Sequence, residues 1–162
     1  MTGETVHALI LTLHEDDENS AQVAESLKQS GHNVLLSKSF PHALRLLAVQ
    51  HVDLIISDVH LENGGSVFDF LRKVKKNPLT KDTPFVLFSS EPTSKAKFLE
   101  DGLRTTARIL GASMYITMKV FDPVEFCKQI NSLLPVDIEP GDLVATDKGE
   151  KDDGKNLSDN GT

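Results

Sequence analysis

Val52-Asp53-Leu54-Ile55-Ile56-Ser57-Asp58 is a short apolar run that ends in a carboxylate. Its length and its β-branched content predict a strand buried on both faces. A carboxylate just past the C-terminal end of such a strand lies at the rim where open α/β sheets place their chemistry. A lone Asp at a rim is usually a cap or turn residue. What else reaches the same rim therefore decides what Asp58 means.

Working outward, strand-like and helix-like segments alternate. Val6 to Leu13 reads as a first strand. Ser20 to Gln29 follows as a helix with Ala21, Val23, Ala24 and Leu27 apolar, and Gly31 is its stop signal. Asn33 to Ser37 is a second strand and Pro41 to Gln50 a second helix. After the central run, Val67 to Lys76 is helical with Val67, Phe70, Leu71 and Val74 on one face, closing at Asn77-Pro78. Phe85 to Phe88 is a fourth strand. Pro92 opens a long helical stretch to about Leu110, which Gly102 weakens. Ala112 to Met118 is a fifth strand, and Asp122-Pro123 starts a last helix ending near Leu134. Strict alternation of this kind predicts an α/β fold, a doubly wound five-stranded parallel sheet with helices on both faces.

Such a sheet gathers its strand C-termini on one edge. That edge collects Glu15-Asp16-Asp17, Asp58, Ser89-Ser90 and Lys119. Carboxylates there can hold a divalent cation through oxygen ligands. The cation neutralises phosphoryl oxygens, an Asp carboxylate attacks phosphorus, and a hydroxyl and an ammonium bind the remaining oxygens.

Composition narrows the classes. The 162 residues are 39% hydrophobic with a formal net charge of −7. No run of about 18 apolar residues is present, which predicts no membrane span. The opening residues lack a basic start and an apolar signal core, so a cytoplasmic protein is expected. An acidic balance without a basic stripe argues against nucleic acid as a partner. Cys127, the single cysteine, neighbours the apolar Phe126, Ile130 and Leu134 and reads as a near-core thiol. No Cys/His cluster has zinc spacing. Residues 1–135 are expected to form the domain. Residues 136–162 hold eight acids against three lysines, which puts −5 of the −7 there, and no aromatic residue. That composition predicts a disordered acidic tail.

The chain resembles the receiver domain of two-component response regulators, of the chemotaxis-regulator type. Leu54-Ile55-Ile56-Ser57-Asp58, Thr83-Pro84-Phe85-Val86-Leu87-Phe88-Ser89-Ser90, Gly111-Ala112 with Tyr115-Ile116-Thr117, and Lys119 with Phe121-Asp122-Pro123 carry the resemblance. The resemblance implies a flavodoxin-like receiver fold and Asp58 as phospho-acceptor. It gives Ser89 the family's Thr/Ser position and makes Tyr115 the aromatic that changes rotamer on activation. It implies Mg²⁺ held by Glu15, Asp58 and the backbone carbonyl of His60, with Asp16 as the substitute ligand if the loop bulges. It implies a sensor histidine kinase or phosphotransfer protein as phosphoryl donor; the stretch after the last helix has no room for an output module, so a downstream target protein reached by contact is expected.

Several positions depart from the family. His14 stands in one of its two acidic slots, and Glu62 stands where a Pro usually follows the acceptor. Counting from Gly111-Ala112 and Tyr115 puts the family's Lys slot at Met118, while counting back from Phe121-Asp122-Pro123 gives Lys119. Neighbours along a strand face opposite sides, so Lys119 reaches the site only if a bulge or the strand end absorbs one residue. Val120 replaces the Pro that normally follows, and a trans path is expected there. A non-enzymatic phosphorylatable receiver is the leading reading, and a phosphorylation-independent pseudo-receiver is the alternative. A flavodoxin-like cofactor binder would need a phosphate cradle where this chain has acids. An aspartate-nucleophile phosphatase would need a second Asp where it has His60.

Deleting residues 136–162 is expected to change folding stability by no more than ~0.5 kcal/mol, measured by thermal or chemical melting. A drop of several degrees would mean that part of the segment docks on the domain.

Overall fold

Residues 7–61, 65–89 and 94–135 are described by a computed structural model, with the backbone alone at residues 60, 65 and 94–99. The fold lies in the unit His7–Leu134. The expected tail from Val136 and the expected helix start at Pro92 lie outside the described residues.

The elements run β1 (Leu9–Leu13), α1 (Asp17–Gln29), β2 (Asn33–Ser37), α2 (Phe40–Val49), β3 (Leu54–Asp58), β4 (His60–Leu61), β5 (Gly65–Ser66), α3 (Val67–Lys76), β6 (Phe85–Ser89), α4 (Ser94–Ile109), β7 (Met114–Thr117) and α5 (Pro123–Asn131). Five strands form one sheet in the order β2-β1-β3-β6-β7, every neighbouring pair parallel. Parallel neighbours cannot be joined by a two-residue turn, so a helix fills each crossover. The chain steps outward from β1 to β2 and then returns to β3 on the other flank of β1. The C-terminal ends of β1 and β3 therefore flank the point where strand order reverses, the place where open sheets form a crevice.

Side-chain alternation gives each sheet face its own packing. Leu11, Leu13, Ile55, Phe85 and Leu87 pack with Phe40, Ala43 and Leu47 of α2, Phe70, Leu71 and Val74 of α3, and Ala107 of α4. Phe70 anchors this side, stacked on Phe40 at 4.9 Å and tilted against Phe85 at 5.6 Å. The alternate residues face the other way. There Phe88 meets Phe126 of α5 and Phe121 edge-on, and α1 packs against α5.

The helix starts follow the sequence. Ser39, Ser66 and Asp122 accept backbone N–H bonds from His42, Asp69 and Glu125, and such caps are worth about 1 kcal/mol each. Gly31 and Gly111 have φ of 96° and 106°. This left-handed conformation suits glycine and closes α1 and α4.

Several boundaries differ from expectation. β1 begins only at Leu9, because the N–H groups of Ala8 and Leu9 bond to side chains, His32 Nδ1 and Asp53 Oδ2. β3 includes Asp58, which pairs with Phe88, so the carboxylate belongs to the last rung rather than to the turn. β7 is shorter than expected, since Ala112 N–H still bonds back to Ala107 in the exit of α4. The short antiparallel pair of β4 with β5 was not anticipated; it ties together the ends of the loop before α3.

α4 runs through Gly102 without interruption. A Cβ at Gly102 would meet nothing within 4 Å. Gly102→Ala is therefore expected to stabilise the domain by about 0.5–1 kcal/mol, read as a higher denaturant midpoint with an unchanged slope. A lower midpoint would contradict the continuous, open helix face.

Candidate functional site

β1 pairs with β3 so that Leu13 lies opposite Ser57. One residue further on, His14 and Asp58 arrive side by side on the same sheet face. His14 Nδ1 lies 2.7 Å from Asp58 Oδ1. A carboxylate can only accept, so Nδ1 carries the proton and donates. The imidazole is fully buried, while the Asp58 side chain keeps 12% of its surface exposed at the rim. Asp58 is also opposite Phe88 on β6, and the His14 and Phe88 rings meet edge-on at 6.1 Å. His14, Asp58 and Phe88 thus form one row across three strands.

The second imidazole nitrogen, His14 Nε2, is buried without a partner. An orphaned buried acceptor costs about 1–3 kcal/mol. His32, also buried, differs. Its Nδ1 accepts from the Ala8 N–H, and its Nε2 lies 2.8 Å from Asn131 Oδ1. One histidine is satisfied on both sides; the other is held by Asp58 alone.

The remaining expected site residues are spread unevenly around this row. Glu15 is half-buried just past β1 and is engaged in an interaction of its own. Asp16 is exposed and caps α1, its carboxylate accepting the Asn19 N–H at 2.9 Å. Ser89 ends β6, half-buried, one residue beyond the partner of Asp58. The backbone of His60 pairs with Ser66 in the short β4–β5 ladder. β7 stays in register with β6 through Thr117, opposite Ser89. The next N–H, that of Met118, bonds to the Ser89 carbonyl at 3.0 Å. No bulge precedes Met118, which is buried, and Lys119 follows it exposed. The described peptide bonds are trans, as expected beside Val120.

The donor chemistry fits a hard cation held by a minimal protein set. Asp58 and Glu15 offer carboxylate oxygens, and Mg²⁺ commonly takes one or two carboxylates and keeps several waters. Among the described residues no group of three or more His, Cys, Asp and Glu side chains is arranged to hold a metal. His14 occupies a place where a further carboxylate would supply one.

A second cluster lies where α4 meets β7; the sequence reading named Tyr115 and Thr117 in it but not Glu100 or Arg104. Arg104 donates to the Tyr115 carbonyl at 3.0 Å, to Glu100 Oε2 at 2.9 Å and to Thr117 Oγ1 at 3.2 Å. Its guanidinium also lies 4.6 Å from the Tyr115 ring centroid. Thr117 Oγ1 donates to Glu100 at 2.5 Å. The signal available in the sequence was the four-residue spacing of Glu100 and Arg104 on a helix.

This geometry can be set beside known proteins. No protein-family model matches the chain. It is 31% identical over 98 residues to the two-component response regulator ORR6 of Oryza sativa subsp. japonica, covering 57% of each chain. It is 28% identical over 125 residues to the phosphate regulon transcriptional regulatory protein PhoB of Escherichia coli (strain K12), covering 77% of this chain and 51% of that one. The structure matches the chemotaxis response regulator CheY4 of Vibrio cholerae with a TM-score of 0.67 at 22% identity, over 80% of this chain and all of that one. His7–Leu134 has the receiver fold of these response regulators. A signal receiver domain of a histidine kinase from Syntrophus aciditrophicus matches the same fold with a TM-score of 0.64 at 21% identity, over 78% and 89% of the two chains. The chain spans about half the length of the curated relatives it matches, 57% and 51%. No helix among the described residues is long and apolar enough to cross a membrane.

Burial is the main cause that holds the Tyr115 hydroxyl above the usual tyrosine range; the Glu100 charge adds to the rise and Arg104 opposes it. Tyr115 is the single tyrosine in a chain without tryptophan, so ultraviolet absorbance follows its ionisation alone. Glu100→Gln removes a raising charge and is expected to move the titration down towards the ordinary range. An unmoved titration would remove Glu100 from the Tyr115 environment.

Proposed function

We propose that this receiver accepts a phosphoryl group on Asp58 from a sensor histidine kinase or phosphotransfer protein and signals by contact with a downstream target protein. The observation that carries the reading is Asp58 itself, a carboxylate on the last rung of the central buried strand, beside the point where strand order reverses. A carboxylate oxygen forms the new P–O bond as the P–N bond of a phosphohistidine breaks, and the imidazole leaves with the electron pair. The Ser89 hydroxyl hydrogen-bonds a phosphoryl oxygen. Lys119 supplies an ammonium only if the chain past the end of β7 turns its side chain back to the rim, since β7 carries no bulge and Met118 takes the buried position. Glu15, Asp58 and the His60 carbonyl would hold Mg²⁺, with Asp16 available only by giving up its cap on α1. Bound there, the ion would neutralise phosphoryl charge. Output passes through the face of α4, β7 and α5, where Arg104 binds the Tyr115 backbone and covers its ring. Neither a nucleic acid nor a membrane is needed for this role. The domain works as a phosphoprotein of the cytoplasm and a signalling module rather than as an enzyme.

One observation favours a second reading. His14 already satisfies an oxygen of Asp58, as a pseudo-receiver used only as an interaction module would allow.

Intact-mass measurement after treatment with acetyl phosphate and Mg²⁺ separates the two. A mass gain of one phosphoryl group, lost in Asp58→Ala, supports the first; no gain in the native chain leaves the second. Lys119→Met is expected to weaken the phosphorylation-induced NMR shift at Tyr115 by about tenfold or more in the underlying equilibrium, because charge-assisted hydrogen bonds contribute roughly 1.5–3 kcal/mol. Met118→Lys is expected to change little. The reverse pattern would give the ammonium's role to position 118.

A further inference from the structure

We infer that His14 is a positioning residue that clamps the Asp58 carboxylate, and that Mg²⁺ competes with this clamp for Asp58 Oδ1. The inference rests on the assignment of Asp58 as a metal ligand made above, and concerns how that site is regulated.

Four observations carry it. The Nδ1–H donates to Asp58 Oδ1 at 2.7 Å with the ring fully buried, so water does not compete for the bond. His14 Nε2 is buried and unpartnered, whereas the buried His32 has partners at both nitrogens. A histidine serving the core alone would be satisfied as His32 is. The ring is backed by Phe88 edge-on, and Phe88 is itself wedged edge-on against Phe121 and Phe126. The imidazole cannot swing away from Asp58 without disturbing that aromatic group. Finally, the backbone on both sides is fixed, since His14 N–H bonds to the Ser37 carbonyl and Asp58 pairs with Phe88 in the sheet.

A cation taking Oδ1 therefore competes with a charge-assisted hydrogen bond for the oxygen's electron density, and it gains no oxygen ligand from position 14. Both effects weaken metal binding in the resting domain. Once a bound cation or a phosphoryl group withdraws the carboxylate, the Nδ1–H loses its acceptor. The ring and the Phe88 beside it then become free to shift. The clamp thus links occupancy of the rim to the aromatic group between the sheet and α5.

The test is a titration of the full chain with Mg²⁺ alone, followed by backbone amide shifts at Glu15 and Asp58. His14→Ala removes the donor and should bind Mg²⁺ about ten- to a hundredfold more tightly than the native chain. His14→Leu fills the ring's space and serves the same purpose if the alanine variant fails to fold. His14→Asn restores an N–H donor near the same place and should return affinity towards the native value, a rescue that a merely structural role would not produce. Equal Mg²⁺ affinity in the native, alanine and leucine forms would overturn the clamp, as would the absence of Mg²⁺ binding in every form. Phosphorylation is read separately, by the mass gain with acetyl phosphate. An adduct on Asp58 with unchanged Mg²⁺ affinities leaves the receiver reading standing without the clamp. Tighter binding in His14→Ala without any adduct leaves the clamp and removes the phospho-acceptor.

Discussion

The domain is organised by the pairing of β3 between β1 and β6. All five residues of β3 are buried, so its backbone groups must find partners within the sheet. Parallel ladders on both flanks provide them. A one-residue slip would turn Leu54 and Ile56 to the opposite face and take Asp58 with them. The same register that keeps the apolar residues packed therefore also delivers a carboxylate to the rim. Stability and site placement have a single cause here, and a change that loosens one loosens the other.

The two faces of the sheet do different work. The face covered by α2, α3 and α4 is almost wholly apolar and rests on Phe40, Phe70 and Phe85. The opposite face carries Thr12, His14 and Asp58 among Ile10, Leu54, Ile56 and Phe88. Thr12 Oγ1 and His14 Nε2 are both buried there without partners. Buried polar groups are normally satisfied, so this face bears a cost that its counterpart does not. A packed apolar core next to an under-satisfied polar row is the arrangement expected where a protein keeps a rearrangement within reach.

At the far edge of the sheet, the ties between α4 and β7 run through side chains. Glu100 and Arg104 on the helix hold Thr117 and the Tyr115 backbone on the strand. Thr117 lies opposite Ser89 in the ladder. A short path of bonded groups therefore joins the end of β6 to the helix surface. Spatial continuity alone does not establish coupling. Glu100 and Arg104 are the groups of α4 that bond β7.

The architecture was legible in the sequence because its signals are local. A β-branched run such as Leu54 to Ile56, the helix start at Asp122-Pro123 and the stop at Gly31 each depend on a few neighbouring residues. Alternation of such segments then admits few topologies. The residues at the rim followed, since every parallel strand ends on the same edge. What tertiary structure decided is non-local. That His14 bonds Asp58, 44 positions away, depends on the register of β1 on β3, which spacing along the chain does not encode. The choice between Met118 and Lys119 depended on whether β7 bulges, and the unbroken pairing of Thr117 with Ser89 turned Met118 inward. Asp16 looked like a spare ligand in the sequence; in the fold its carboxylate caps α1. Composition and periodicity settle which face a residue occupies, while the bond its side chain makes there is set only when strands from distant parts of the chain lie side by side.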